Sequence, residues 1–184
     1  NDGKLRPCHA RRPTAGAIYV DGENTAEMTE KDLAFLRNRT IGFVFQQYFL
    51  LPTLTILENV MLPLRYQGLP ASERKKLAAE ELEKVGLSNR LKHRPSELSG
   101  GQKQRLAIAR AIVNSPEIIF ADEPTGNLDS ATSGKIEKLL FEYNKKSGAT
   151  LFIITHDEEL AEKCDIRIRI KDGEIEHIEG VKNA

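Results

Sequence analysis

One short run constrains this chain more than any other: Ile118 to Ala121 is apolar, of strand length, and directly followed by Asp122 and Glu123. Such a run is typical of a parallel-sheet strand that is buried on both faces. Open α/β sheets bind ligands at the carboxyl ends of their strands. One carboxylate there can hold Mg²⁺, and the other can polarise a water molecule for attack on a γ-phosphate. A solvated acidic turn is the alternative, and the Asp-Glu pair alone does not decide between the two.

The rest of the chain predicts an α/β core that a helical segment interrupts. Residues 54–114 have an almost wholly helical pattern, whereas short apolar runs of strand length lie before and after them. The other predicted strands are 17–20, 41–45, 150–155 and the two arms of a closing hairpin, 165–170 and 174–178. Residues suited to helix N-caps are Thr29 (with Asp32 at capping-box spacing), Thr55, Ser99 and Asp129.

The second candidate site is Ser99-Gly100-Gly101-Gln102, which stands where a helix is predicted to begin. A hydroxyl and two glycines at that place turn backbone N–H groups and the positive end of the helix dipole toward an anion. The glycines allow a close approach of phosphate oxygens that a Cβ would block. A glycine-rich helix cap that binds nothing is the alternative.

The longer run from Glu97 to Ala111 resembles the signature segment of ABC ATPases. Other positions then match motifs of that family in the family's order. Gln46 resembles the glutamine of the Q-loop, which would contact Mg²⁺ and the attacking water. Asp129, in Gly126-Asn127-Leu128-Asp129, resembles the D-loop aspartate, which would contact the opposite subunit. His156 resembles the switch histidine, which would hydrogen-bond the γ-phosphate of ATP.

The resemblance implies a P-loop NTPase (RecA-like) core with an inserted α-helical signature subdomain, incomplete at its N-terminus. The core would comprise residues 13–47 and 115–184, the helical subdomain 48–114, and residues 1–12 would be a divergent segment. It also implies that the chain hydrolyses ATP with Mg²⁺. The implied roles are catalysis for Glu123 and His156, Mg²⁺ binding for Asp122 and Gln46, and nucleotide or subunit contacts for Gln46, Ser99, Gly100, Gly101, Gln102 and Asp129.

Within the family, the chain looks most like the LolD/MacB group, on segments such as Phe43-Val44-Phe45-Gln46 and Leu50-Leu51-Pro52. This resemblance implies lipoprotein release or export, powered from the cytoplasmic face of the inner membrane. The implied partners are integral-membrane permease subunits and a second ATPase subunit. In such a dimer, the Ser99 loop of one subunit would complete the phosphate site of the other.

The sequence departs from the family at the phosphate loop, G-x-x-x-x-G-K-[ST], because no such segment occurs in the 184 residues. Counting back from Pro13-Thr14-Ala15-Gly16, the loop would fall at or before residue 1. We therefore expect this chain alone to bind ATP weakly or not at all. A partial reading frame is one explanation, which the non-Met start favours. A degenerate, non-catalytic domain that supplies only a signature and dimerisation face is the other.

Charge and length argue against two further classes of protein. Lys+Arg and Asp+Glu both total 27, so no general affinity for nucleic acid is implied. DNA-repair ATPases of the same superfamily separate the two halves by a long coiled coil, but only a small helical segment lies between Gln46 and Ser99.

No apolar run approaches the roughly 20 residues of a membrane-spanning helix. We therefore expect a peripheral protein that docks onto a membrane partner.

Overall fold

A computed structural model describes residues 16–20 and 22–180, in which a parallel sheet and a group of helices share one long helix. The strands are β1 (Tyr19–Val20), β2 (Glu23–Asn24), β3 (Ile41–Phe45), β4 (Ile118–Asp122), β5 (Thr150–Ile154), β6 (Ile166–Lys171) and β7 (Glu174–Gly180). The helices are α1 (Glu30–Thr40), α2 (Ile56–Tyr66), α3 (Ala71–Lys84), α4 (Gly100–Ile112), α5 (Ser130–Ser147) and α6 (Glu158–Glu162), with short 3₁₀ turns at Ser88–Arg90 and Pro95–Glu97.

The central sheet has the strand order β3-β4-β5, and both pairs are parallel. Phe45 pairs with Asp122, and Asp122 pairs with Ile154, so all three strands end at the same level. The residues that follow them, Gln46, Glu123 and Thr155, therefore leave the sheet along one edge. This register brings three separate segments of sequence to the place where parallel sheets bind ligands.

The predicted helix starts are confirmed, because the capping side chains make the expected hydrogen bonds. Thr29, Thr55 and Ser99 each complete a capping box with the residue three positions later. Asp129 accepts a hydrogen bond from the Thr132 backbone N–H and caps α5. Each side chain satisfies a donor that the first turn of a helix would otherwise leave unpaired.

Two clusters of buried side chains form the core, and α4 contributes to both. The first lies among the helices and contains Ile56, Val60, Leu64, Ala78, Leu82, Val85, Leu87, Leu98, Leu106, Ala109 and Val113. The second lies between the sheet and α4 and α5, and contains Val44, Ile108, Ala111, Ile112, Ile119, Ala121, Ile136 and Leu140. Because α4 is anchored in both clusters, its Ser99 end is held relative to the sheet.

Burial of the strands on both faces, which their apolar composition predicts, is wrong for β5. Its residues Thr150 and Phe152 are exposed, and 44% of the Phe152 surface is accessible. Phe152 ends a row of aromatic rings on one face of the sheet, in which Phe43 stacks on Phe120 and Phe120 contacts Phe152. Helices α4 and α5 pack against the opposite face, on the side chains of Val44, Ile119 and Ala121.

The ends of the chain bear on several further predictions. The predicted hairpin is confirmed as the antiparallel pair β6–β7. The first predicted strand is shorter than expected, since β1 begins at Tyr19 and pairs with β2. Helix α1, whose start at Thr29 was predicted, continues to Thr40. The predictions about residues 1–12 and about Pro13-Thr14-Ala15 lie outside the described residues. Among the helices described, none is long and apolar enough to cross a membrane.

Candidate functional site

Glu123 is the best-positioned carboxylate of the chain, at the point where β4 ends. Its backbone N–H donates to the Ile154 carbonyl at 2.9 Å, so the peptide is tied to the end of β5. Its φ of 45° lies in the left-handed region, which a residue with a Cβ adopts only where its surroundings enforce it. The backbone is therefore held in a strained conformation that aims the carboxylate over the sheet edge.

His156 and Thr155 hold the carboxylate of Glu123 from the neighbouring strand. The Glu123 Oε1 atom accepts from the His156 backbone N–H at 2.9 Å and lies 2.7 Å from its ring Nδ1. The Thr155 hydroxyl donates to Oε2 at 3.4 Å. Only 20% of the Glu123 side chain is exposed, against 84% for His156. The hydrogen bond to Glu123, with its negative charge, raises the pKa of His156 above the ordinary histidine value.

Gln46 lies at the same edge, one strand away, and is bonded to Asn127. The Gln46 Nε2 atom donates to Asn127 Oδ1 at 3.3 Å, and Asn127 Nδ2 donates to the Gln46 carbonyl at 3.0 Å. Gly126 makes room for this pair, since a Cβ on it would lie 2.8 Å from Gln46 Nε2. Two residues 81 positions apart are thus joined by reciprocal amide contacts.

The Ser99 segment forms a helix N-terminus that is capped by its own side chains. The Ser99 N–H donates to Gln102 Oε1 at 2.9 Å, and the Gln102 N–H donates to Ser99 Oγ at 3.4 Å. Both side chains are therefore engaged within the first turn of α4. Gly101 packs so closely on α5 that an added Cβ would lie 2.4 Å from Thr132 Cγ2. In this chain the close approach at Gly101 is to another helix of the same protomer.

Asp129 is exposed at the start of α5 and has the helix-capping geometry. Its carboxylate accepts from the Thr132 backbone N–H at 2.9 Å and from the Thr132 hydroxyl at 2.7 Å. These hydrogen bonds lower the pKa of Asp129, the side-chain bond having the larger effect. The carboxylate is therefore fixed in its ionised form with its outer face toward solvent.

The structure arranges the predicted site residues in two groups. Gln46, Asp122, Glu123 and His156 meet along the carboxyl edge of the sheet. Ser99, Gly100, Gly101 and Gln102 form the start of α4, where Gly100 and Gly101 pack beside Tyr48, Leu128 and Thr132. Asp129 comes two residues after Asn127, which binds Gln46. The segment 126–132 thus has contacts with both groups.

The donor set at the sheet edge fits a magnesium ion that travels with a phosphate substrate. Asp122 is the last residue of β4, and Gln46 directly follows the neighbouring strand β3. Both side chains carry oxygen, the ligand atom that Mg²⁺ prefers. No cluster of three or more His, Cys, Asp or Glu residues suited to a metal ion occurs within residues 16–20 and 22–180. A small protein donor set is typical of Mg²⁺ sites in which water and phosphates fill most coordination positions.

The sequence did not predict two sets of hydrogen bonds near the candidate site, those of Asn127 and those of Arg110. Arg110 NH1 and NH2 donate to the carbonyls of Phe49 and Tyr48. Asn127 stands inside a recognised motif, but nothing in its neighbourhood in the sequence identifies Gln46 as its partner. The positive charge of Arg110 on an otherwise apolar stretch of α4 is the one local signal that could have indicated a buried role.

Sequence comparison identifies the class of protein that this fold and edge site define. Residues 8–126 match the family model described as ABC transporter, and the chain belongs to that family. It is an ABC ATPase, of a family that binds and hydrolyses ATP.

Among individual relatives, an uncharacterized ABC transporter ATP-binding protein of Thermotoga maritima is 54% identical, over 91% of this chain and 71% of its own length. The lipoprotein-releasing system ATP-binding protein LolD of Syntrophus aciditrophicus is 49% identical, over 89% and 73%. The macrolide export ATP-binding/permease protein MacB of Syntrophobacter fumaroxidans is 47% identical over 90% of this chain, which spans only 23% of that longer protein.

Solved structures confirm the expected fold class. The ATP-binding cassette MJ0796, in a dimeric post-hydrolysis state bound to ADP and phosphate, superimposes with a TM-score of 0.85 at 43% identity. The alignment covers 96% of this chain and 78% of that one. The predicted α/β core with an inserted helical segment is therefore that of an ABC cassette.

Proposed function

We propose that this chain is the ATP-hydrolysing part of a transporter of the LolD/MacB type, which drives lipoprotein release or export. The observation that carries the proposal is the carboxylate of Glu123, which strained backbone and His156 together hold over the sheet edge. A fixed carboxylate beside a phosphate site can accept a proton from the attacking water, which is the role of a general base in phosphoryl transfer.

The neighbouring residues have complementary roles in this proposal. Asp122 and Gln46 would hold Mg²⁺, which supplies neutralisation of phosphate charge when it is bound. His156 orients the Glu123 carboxylate through two hydrogen bonds, and its ring is exposed on the side where a γ-phosphate would approach. Asn127 fixes the Gln46 amide at the same edge. Water activation and phosphate sensing thus depend on three adjacent strand ends.

The Ser99 segment would act across a dimer. Its capping box leaves the start of α4 with backbone N–H groups and a helix dipole that favour an anion. The exposed carboxylate of Asp129 is fixed in a segment whose Leu128 and Thr132 pack beside Gly100 and Gly101, and it is suited to contact a second subunit. The dimeric state of the cassette MJ0796 supports an arrangement in which each protomer completes the site of its partner.

A membrane permease is the second proposed partner, at the cytoplasmic face of the inner membrane. The loop after Gln46 exposes two large apolar side chains, Phe49 and Leu51, at 58% and 45% of their surfaces. A groove of about 350 Å³ is lined by residues of α1, α2, β3 and α4, and Arg110 is one of them. Adjacent apolar groups and a groove are typical of a protein-docking surface.

The test is ATP hydrolysis by the full-length protein and its Glu123→Gln variant. Loss of the base is expected to reduce kcat by roughly 100-fold or more while nucleotide binding persists. The matched control is Glu117→Gln, which makes the same change just before the opposite end of β4, where the side chain is exposed. Equal activity in Glu123→Gln and Glu117→Gln would show that Glu123 is not the base.

A non-catalytic domain is the second candidate, because the described residues form the Ser99 helix start and the Asp129 cap without contribution from a G-x-x-x-x-G-K-[ST] segment. Such a domain would supply only the Ser99 face and the dimer contacts. The same assay separates the two candidates. A full-length protein that dimerises with an active partner but hydrolyses no ATP by itself would support the non-catalytic role.

A further inference from the structure

The loop that follows Gln46 contains a turn of unusual backbone geometry. Tyr48 and Phe49 have φ values of 60° and 43°, so two successive residues with side chains occupy the left-handed region. This conformation is disfavoured for both residues, and it persists only where other contacts hold it. The turn places the carbonyls of Tyr48 and Phe49 on the same side, toward helix α4.

Arg110 of α4 binds both of those carbonyls. Its NH2 atom donates to the Tyr48 oxygen at 2.7 Å, and its NH1 atom donates to the Phe49 oxygen at 2.6 Å. A guanidinium presents its N–H groups in a rigid, planar fork, which suits two adjacent acceptors as a single ammonium does not. Burial also lowers the pKa of Arg110, in keeping with carbonyl oxygens taking the place of water around the charge.

The same turn touches α4 a second time, at its opposite end. The Tyr48 hydroxyl lies 3.3 Å from the position that a Cβ would occupy on Gly100. Gly100 and Arg110 are separated by about 15 Å along a helix that rises 1.5 Å per residue. The hydrogen bonds at Arg110 and this close approach at Gly100, so far apart, together restrict pivoting of the turn about either point.

The outward side of the loop is equally well supported. The buried side chain of Asn59 accepts from the Leu51 N–H at 2.9 Å and donates to the Leu51 carbonyl at 3.1 Å. Phe49 and Leu51 thus present exposed apolar side chains from a backbone that is fixed on both sides. A partner that contacts them meets a rigid projection.

We propose that Arg110 is a positioning residue that joins the exposed Phe49–Leu51 loop and the Ser99 end of α4 into one rigid unit. A displacement of Phe49 or Leu51 is then passed to Ser99 along α4, because the turn has no freedom to absorb it. That a permease supplies the displacement rests on the proposed function. The rigidity itself does not.

The experiment measures the distance between two nitroxide labels, at Phe49→Cys and Lys103→Cys, in full-length protein whose Cys8 and Cys164 are replaced by serine. We expect a narrow distribution in the parent protein. Arg110→Met and Arg110→Lys should broaden it, with the population of detached loop rising about tenfold for each lost charge-assisted hydrogen bond.

Two controls separate this local release from a general loss of structure. Arg105→Met removes another guanidinium from α4, one that donates to the Val85 carbonyl at 3.1 Å and does not bind the loop. It should leave the distribution between positions 49 and 103 narrow. A second label pair, Lys75→Cys with Lys103→Cys, reports the packing of α3 on α4 and should be narrow in the parent protein and in both Arg110 variants.

Broadening between positions 49 and 103 in both Arg110 variants, with narrow distributions in both controls, supports the proposal. An unchanged distribution in Arg110→Met and Arg110→Lys overturns it, and so does equal broadening in Arg105→Met. If Arg110→Met fails to fold, Arg110→Lys decides the result. The labels report the rigid unit whether or not Glu123→Gln abolishes hydrolysis, so the two proposals fail separately.

Discussion

The helical part of the molecule and the sheet differ in how completely they bury their apolar side chains. Between α2, α3 and α4, the leucines and isoleucines that face inward are almost fully buried, and the cluster is closed on itself. The sheet is buried under α4 and α5 on one face, while its aromatic row remains open at Phe152. The β6–β7 hairpin exposes five isoleucines: Ile166, Ile168, Ile170, Ile175 and Ile178.

This difference shows where the molecule depends on contacts beyond those within the described residues. A closed cluster gains its stability from its own packing, whereas an open apolar face gains stability only when something covers it. The sheet is also the part that carries Glu123 and His156. The residues proposed for chemistry therefore stand on the less completely buried part, and those proposed to contact a partner's phosphates begin a helix that both clusters anchor.

The largest expected effect is on nucleotide binding, in which the 184-residue chain is compared with a relative that has the phosphate loop. The 184-residue chain has no G-x-x-x-x-G-K-[ST] segment, so a triphosphate lacks the backbone and lysine donors that such a loop supplies. Loss of about three charge-assisted hydrogen bonds predicts binding about 1,000-fold weaker than in a relative that has the loop. Calorimetric titration with MgATP measures it. Micromolar affinity in the 184-residue chain would contradict the prediction.

Core truncations compare the two parts directly. Leu106→Ala, in the closed cluster, should lower the free energy of unfolding by about 3 kcal/mol, because the cavity cannot refill with water or side chains. Phe152→Ala, on the open face, should cost roughly 1 kcal/mol, since much of the ring is already in water. Urea denaturation checks both. Equal losses would mean that the aromatic row is covered in solution.

Gln104 is an exception in the helical core, because its buried polar atoms are not hydrogen-bonded to any part of the chain that the structure describes. It is fully buried on α4, and neither of its amide atoms has a hydrogen-bond partner within the described residues. Replacement by methionine should raise the free energy of unfolding by about 1 kcal/mol, because the desolvation penalty disappears. Asn59 is the matched control: it is equally buried but makes hydrogen bonds to three backbone carbonyls, so Asn59→Leu should be destabilising.

The smallest expected effect is the titration of His156, whose ring is largely exposed. NMR should find its pKa above the ordinary histidine value, and Glu123→Gln should bring it back toward that value. Because the folded-state pKa is raised, the contact stabilises the protein below the unfolded pKa and is lost as pH rises through the folded one.

Glu158→Gln is the control for that titration, since Glu158 pairs with Arg169 at 3.6 Å instead. It should leave the His156 titration where it is in the parent protein. A pKa that stays raised in Glu123→Gln would show that another group holds the imidazolium.

Local patterns predicted the elements well because the determinants of a helix start or a strand are local. Thr55, Ser99 and Asp129 cap helices through residues three positions away, and the position of β4 in the sequence follows from its own apolar run. The contacts that organise the site are not local. Glu123 meets His156 33 residues later, and Arg110 reaches back 62 residues to Tyr48. The alternation of apolar residues contains no information about such pairs.

The prediction that β5 is buried on both faces was wrong for a related reason. The apolar composition of a strand predicts that its residues suit a buried surface, but it does not predict which element packs against them. Helices α4 and α5 cover the face with Ile119 and Ala121, and Phe152 points to the other side. The roles of Gln46, Asp122 and the Ser99 segment in binding stay predictions, because the structure shows their placement alone.

Gly101 has a consequence for how substitutions at this position should be interpreted. With Thr132 Cγ2 at 2.4 Å from any added Cβ, every other amino acid would either turn the Thr132 side chain, which is hydrogen-bonded to Asp129, or push α4 away from α5. Intolerance at position 101 is therefore a property of the resting protomer. Loss of function in a Gly101 variant therefore has to be compared with the stability of the isolated protomer before it is assigned to nucleotide binding.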